Sequence, residues 1–83
     1  MAYEILLLEP AIKDLQKIDK TQASRILLAI VSKLTKNPQQ FEPLKHRFKG
    51  YRKLRVGDYR VIFVIEETQV VVAHIGHRRE VYE

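Results

Sequence analysis

At Asn37-Pro38 the apolar residues of this chain change period, and that change limits the folds open to it. Before it, Ala11, Ile12, Leu15 and Ile18 recur at helical spacing, with Lys13, Asp14, Gln16 and Lys17 between them. Pro10 suits the first turn of that helix, which is expected to end near Asp19-Lys20. Thr21 is the expected cap of a second helix. Its apolar stripe is Ala23, Ile26, Leu27, Ile30, Val31 and Leu34. Asn37-Pro38 stops it, because a residue before proline is pushed out of the helical region. After a polar loop to Pro43 the period becomes two. Leu54 and Val56 alternate with Lys53 and Arg55, and Gly57-Asp58 is a hairpin signal. Tyr59 to Ile65 reads as the next strand, Glu66-Glu67 as a turn, and Thr68 to Ile75 as a further strand. Tyr3 to Leu8, closed by Glu9-Pro10, is a short strand at the start.

That order defines an α+β domain: an N-terminal strand, a two-helix hairpin, then a three-stranded antiparallel sheet packed on the helices. With 83 residues, one domain spanning 1–83 is the only sensible division. The chain has no cysteine, so neither disulfides nor thiolate metal sites support the thin core of so short a domain. The apolar run Ile5 to Leu8 is too short for a membrane span, and Glu4 and Glu9 flank it where a secretion signal wants cations. A cytoplasmic protein with no membrane partner is the expectation.

Charge is what points to function. Lys45, Arg47, Lys49, Arg52, Lys53, Arg55 and Arg60 lie within sixteen residues and are opposed there only by Asp58. The remainder of the chain carries eight basic and nine acidic residues, so the net charge of +5 resides in this segment. A focused surplus creates a local field suited to a polyanion. With Gly57-Asp58 as a two-residue loop, strand alternation divides the segment. Leu54, Val56, Tyr59, Val61, Phe63 and Ile65 share a core face with Val70 and Val72, while Tyr51, Lys53, Arg55 and Arg60 face the other way. Arg55 then lies directly opposite Arg60, an arrangement that destabilises a sheet. Arginine forks suit phosphate oxygens, and a bound phosphate would remove the repulsion. Snorkelling of one arginine into solvent is the alternative.

The closing stretch "IGHRREVYE" adds His77, Arg78, Arg79 and Tyr82, with Gly76 expected to break the last strand. Lysine, arginine, histidine and tyrosine together, with neither a carboxylate pair nor a metal cluster, suggest acid–base chemistry on a phosphodiester with no metal and no cofactor. His74 falls on the expected core face beside Tyr59, as a structural histidine. His46 is a weaker candidate than His77.

"GYRKLRVGDYRVIFVIEE" and "IGHRREVY", after a helical hairpin ending in "NP", resemble the RelE/ParE superfamily of type II toxins over essentially the whole chain. The closing motif is most similar to the RelE branch, whose members are ribosome-dependent mRNA endonucleases. The resemblance implies attack by the RNA's own 2′-hydroxyl, giving a 2′,3′-cyclic phosphate and a 5′-hydroxyl. It implies Lys53 as the basic residue of the second strand, Arg60 at the scissile phosphate, Arg78 near the leaving group, and Tyr82 as the C-terminal tyrosine. Tyr51 stands where some members carry another lysine. His77 is kept as a candidate acid, since histidine titrates nearest to neutrality. Arg55, Arg52, Lys49, Arg47, Lys45 and Tyr51 are the expected RNA- and phosphate-binding residues. The implied partners are mRNA, the ribosome and a cognate antitoxin in a hetero-oligomer. Two alternatives stay open: a toxin of the ParE branch, which acts on DNA gyrase, and a non-catalytic nucleic-acid-binding module.

Overall fold

The structure is a computed structural model, and it describes residues 2–45 and 48–77. Strand β1 (Glu4–Leu7) leads into helix α1 (Glu9–Lys17) and helix α2 (Lys20–Ala29), which continues as a π-turn over Ile30–Leu34. A short 3₁₀ turn at Pro38–Gln40 precedes strands β2 (Arg52–Val56), β3 (Tyr59–Glu66) and β4 (Gln69–His77). The expected α+β arrangement stands, with one addition. The N-terminal strand joins the sheet, whose order is β1-β4-β3-β2. It runs parallel to β4, pairing Glu4 with Gln69 through Leu7 with Val72, so the sheet has four strands rather than three.

Local chemistry explains the helix ends. Glu9 and Pro10 occupy the first turn of α1, where a carboxylate meets the positive end of the helix dipole and a proline loses no hydrogen bond. Asp19, rather than the expected Thr21, caps α2. Its Oδ2 accepts from the backbone N–H groups of Thr21 (3.2 Å) and Gln22 (3.3 Å). The two-residue spacer Ile18-Asp19 makes the hairpin tight enough for the carboxylate to take that position.

The core lies between the helices and one face of the sheet. Ala11, Ile26, Ile30 and Leu34 pack with Leu54, Val61, Phe63, Val70, Val72 and Ile75. Ile26, Ile30 and Leu34 are spaced by four, which in a pure α-helix drifts about 40° per step. The π-turn counters that drift and keeps all three on one line against the sheet. The residues beside that line do not follow it. Leu27 and Val31, expected in the buried stripe, are 40% and 57% exposed.

The β2–β3 hairpin has the predicted register, with Val56 opposite Tyr59, Arg55 opposite Arg60 and Lys53 opposite Ile62. Gly57 takes a φ of +60° at the first turn position, the backbone sign a two-residue II′ loop requires. The β3–β4 loop is Glu67-Thr68, one residue later than expected. The other departure is a β-bulge. Ile62 pairs with His74 but Phe63 pairs with Val72, so Ala73 is an extra residue on β4.

Candidate functional site: a basic sheet face

A bulge inverts the facing of everything after it. Beyond Ala73, Ile75 rather than His74 enters the core, and His77 rather than His74 lies beside Tyr59. The His77 and Tyr59 rings meet edge to face, with centroids 5.8 Å apart. His74 is exposed on the opposite face, level with Ile62, so its expected structural place in the core is corrected. Gly76 does not break β4. It continues the strand opposite Arg60.

Arg55 and Arg60 are direct cross-strand partners on the face turned away from α1 and α2. Lys53 is two residues along β2 on the same face, about 7 Å away along the strand. The three cations sit at different depths. Arg55 is exposed, and its Nε donates to the Gly57 carbonyl oxygen at 3.5 Å, which bends it toward the turn. Arg60 is half-buried. The Lys53 side chain is only 17% exposed, and its Nζ lies 3.8 Å from Glu42 Oε1. Backbone pairing places Glu42 there, since its carbonyl oxygen accepts from the Lys53 N–H at 3.1 Å. Glu42 was not legible as a site residue. Its only signal was being the sole acid between Asp19 and Asp58.

The floor of this face is apolar. Ile62 (1% exposed) and Val71 (7%) lie on it beside the cations. A phosphate bound over Arg55 and Arg60 would meet one exposed guanidinium and, in Arg60, one partly shielded from water, where charge–charge attraction exceeds its value in bulk solvent.

The other expected residues divide by position. Tyr51, one residue before β2, is half-buried, its N–H donating to the Phe48 carbonyl oxygen (2.9 Å) and its own carbonyl oxygen accepting from Leu44 N–H (2.8 Å). Lys45 and Lys49 are exposed on the loop leading to β2. Arg52 does not join them. It shares the core-side parity of Leu54, and its Nη1 donates to the carbonyl oxygens of Gln39 (3.2 Å) and Phe41 (2.8 Å). Arg52 thus fastens the loop to the sheet, and its expected place in the anion surface is corrected. His77 is likewise on the helix side, at a cleft of about 380 Å³ that also contains Asp14, Lys17, Asp19, Tyr59 and Gly76. The fold does not bring its ring onto the face of Arg55 and Arg60. Arg47, Arg78 and Tyr82 lie outside the described residues.

Helix α1 is tied to this end of the sheet by one carboxylate. Beyond Leu8, β1 no longer pairs with the edge of β4, and there Asp14 Oδ2 accepts from the Ile75 N–H at 3.0 Å. His74 Nδ1 is 3.9 Å from the same oxygen.

A four-stranded sheet backed by a helical hairpin, with cations on its other face, is the architecture of a small toxin class. The model of the ParE toxin family of type II toxin–antitoxin systems (parDE) matches residues 5–82, and the chain belongs to that family, within the RelE/ParE superfamily. Among individual proteins, it is 29% identical to the toxin RelE of Mycobacterium tuberculosis, over 96% of this chain and 86% of that protein. A chain in the crystal structure of the toxin–antitoxin complex RelBE2 from M. tuberculosis superposes with a TM-score of 0.88, at 25% identity over 94% of this chain and 93% of that one. A chain of the RelB–RelE antitoxin–toxin complex from Methanococcus jannaschii shares the fold, with a TM-score of 0.68 at 22% identity over 90% and 92%.

Proposed function

We propose that this chain is the toxin of a type II pair, bound by a cognate antitoxin, and that it cleaves mRNA on the ribosome in the cytoplasm. The observation that carries the reading is the Arg55–Arg60 pair: two guanidinium groups held directly opposite each other on the face turned away from α1 and α2, a cross-strand placement of like charges that costs a sheet stability. In the proposed reaction a ribose 2′-oxygen attacks the adjacent phosphorus. The P–O2′ bond forms and the P–O5′ bond breaks, leaving a 2′,3′-cyclic phosphate and a 5′-hydroxyl. The 2′-hydroxyl proton is lost to a basic group, and a proton is gained by the departing 5′-oxygen. Arg60 and Arg55 stabilise the added negative charge of the pentacoordinate phosphorus, being permanently cationic. Lys53 and, by motif, Tyr82 are the proposed groups for base work at the 2′-hydroxyl. By motif Arg78 stands near the leaving oxygen. His77, on the helix side, is not assigned the acid role.

The family model favours a second reading on the same fold, inhibition of DNA gyrase, because its description is that of ParE toxins. Mapping mRNA 5′ ends after induction separates the two. Cuts at defined positions inside translated codons, lost in Arg60→Ala/Arg78→Ala together with growth arrest, are expected. Growth arrest with intact mRNA and relaxed plasmids would instead establish the gyrase reading, and full toxicity in the double variant would remove the assigned site.

A further inference from the structure

The reaction proposed above leaves its acid unassigned. The departing 5′-oxygen needs a proton, an arginine such as Arg78 does not release one, and His77 lies on the helix side of the sheet. The bulge at Ala73 turns another histidine onto the basic face, and bulges beside active sites serve to re-aim a side chain in this way. His74 pairs with Ile62, which pairs with Lys53, so the three form one row across β4, β3 and β2. Arg60 pairs with Gly76, two residues beyond His74 on β4. His74 and Arg60 are therefore diagonal neighbours, roughly 7–8 Å apart and within reach of long side chains. Lys53 and His74 flank β3 on either side, roughly 10 Å apart at two strand spacings. An in-line displacement sets the attacking and departing oxygens on opposite sides of phosphorus, so its base and its acid must be separated in this manner. The floor between them is Ile62, 1% exposed, which carries no group that competes for the proton.

A carboxylate orients this histidine. The His74 side chain is 51% exposed, and its Nδ1 lies 3.9 Å from Asp14 Oδ2 at the edge of β4. The Ile75 N–H, donating to the same oxygen at 3.0 Å, holds the carboxylate in place. A carboxylate beside one ring nitrogen keeps a proton there and leaves the other nitrogen, Nε2, to face substrate. We propose that His74 is the general acid of this site, with Asp14 as its positioning residue. The inference rests on the endonuclease reading of the Arg55–Arg60 face. As the P–O5′ bond breaks, its electron pair passes to the 5′-oxygen, which takes the proton from Nε2. The imidazole is left neutral, its Nδ1 proton still toward Asp14, and water restores the proton it gave.

The probe is an mRNA whose cut site on the ribosome has been mapped, made once with its natural linkage and once with sulfur in place of the departing 5′-oxygen. A thiolate leaves without being protonated, so the second mRNA does not need the acid. In single turnovers His74→Gln is expected to cut the natural mRNA at least about 100-fold more slowly than wild type, the usual contribution of a positioned acid. It should cut the sulfur-containing mRNA within three-fold of the wild-type rate. Asp14→Asn is expected to raise the ratio of the two rates in the same direction by a smaller factor. Each ratio is taken on one protein, so any loss of folded material cancels. A natural-mRNA rate within two-fold of wild type in His74→Gln overturns the proposal and leaves the endonuclease reading intact. Equal slowing on both mRNAs also overturns it, since a histidine that only shapes the site gives no rescue by sulfur. Failure of the wild-type chain to cut any mRNA on ribosomes removes the endonuclease reading, and the acid with it.

Discussion

Arg55 and Arg60 face each other across β2 and β3 at a paired position, on the side of the sheet that α1 and α2 leave uncovered. Like charges at a paired cross-strand position oppose folding, so stability and ligand binding should respond to the pair in opposite directions. Arg55→Thr is expected to raise stability by about 0.2–1 kcal/mol, because it replaces a like-charge pair with a β-branched residue in a strand. The same change should weaken binding of single-stranded RNA and flatten its salt dependence by about 0.7 in the log–log slope. Thermal melts and binding titrations at several salt concentrations measure the two effects. An unchanged slope would show that Arg55 does not meet phosphate.

Arg52 makes the converse case, a cation in the same basic run whose role is structural. Its Nη1 supplies the Gln39 and Phe41 carbonyl oxygens. Arg52→Met keeps the aliphatic stem and removes both bonds, so a loss of about 2–3 kcal/mol is expected from bonds made by a charged donor. The salt slope of RNA binding should stay at the wild-type value. If Arg52→Met leaves the denaturation midpoint unchanged, the anchoring role is wrong.

Asp14 gives a third test, at the edge of β4. Asp14→Ala leaves the Ile75 N–H without its acceptor, at an expected cost of about 1–3 kcal/mol, and amide exchange at Ile75 should accelerate. Asp14→Asn retains a carbonyl oxygen and should lose distinctly less. Equal protection of Ile75 in wild type and Asp14→Ala would contradict the edge-capping role.

The hairpin register was legible because Gly57-Asp58 permits only a short loop, and a short loop fixes which residues oppose each other. The placement of the histidines was not. Alternation counted through β4 assigns His74 to the core, but Ala73 is inserted without any sequence marker such as glycine, and the facing of every later residue is reversed. Arg52 was misplaced for a related reason. Counting charge along the chain put it with its neighbours, whereas strand parity and two loop carbonyls hold it on the other side. The second helix follows from its period, but that period marks an apolar stripe wider than the sheet covers and shows neither the Asp19 cap nor the π-turn.

By itself the sequence determined the succession of elements, since the periods of 3.6 and 2 are properties of single segments. It also determined the concentration of charge and the opposition of Arg55 and Arg60, which follow from local geometry. Only the tertiary structure decided that β1 lies parallel beside β4, that Asp14 and Glu42 reach Ile75 and Lys53, and that Leu28 and Val31 stay outside the core. Each of those depends on residues far apart in the chain meeting through packing, and packing distances are set by the whole fold rather than by any one stretch.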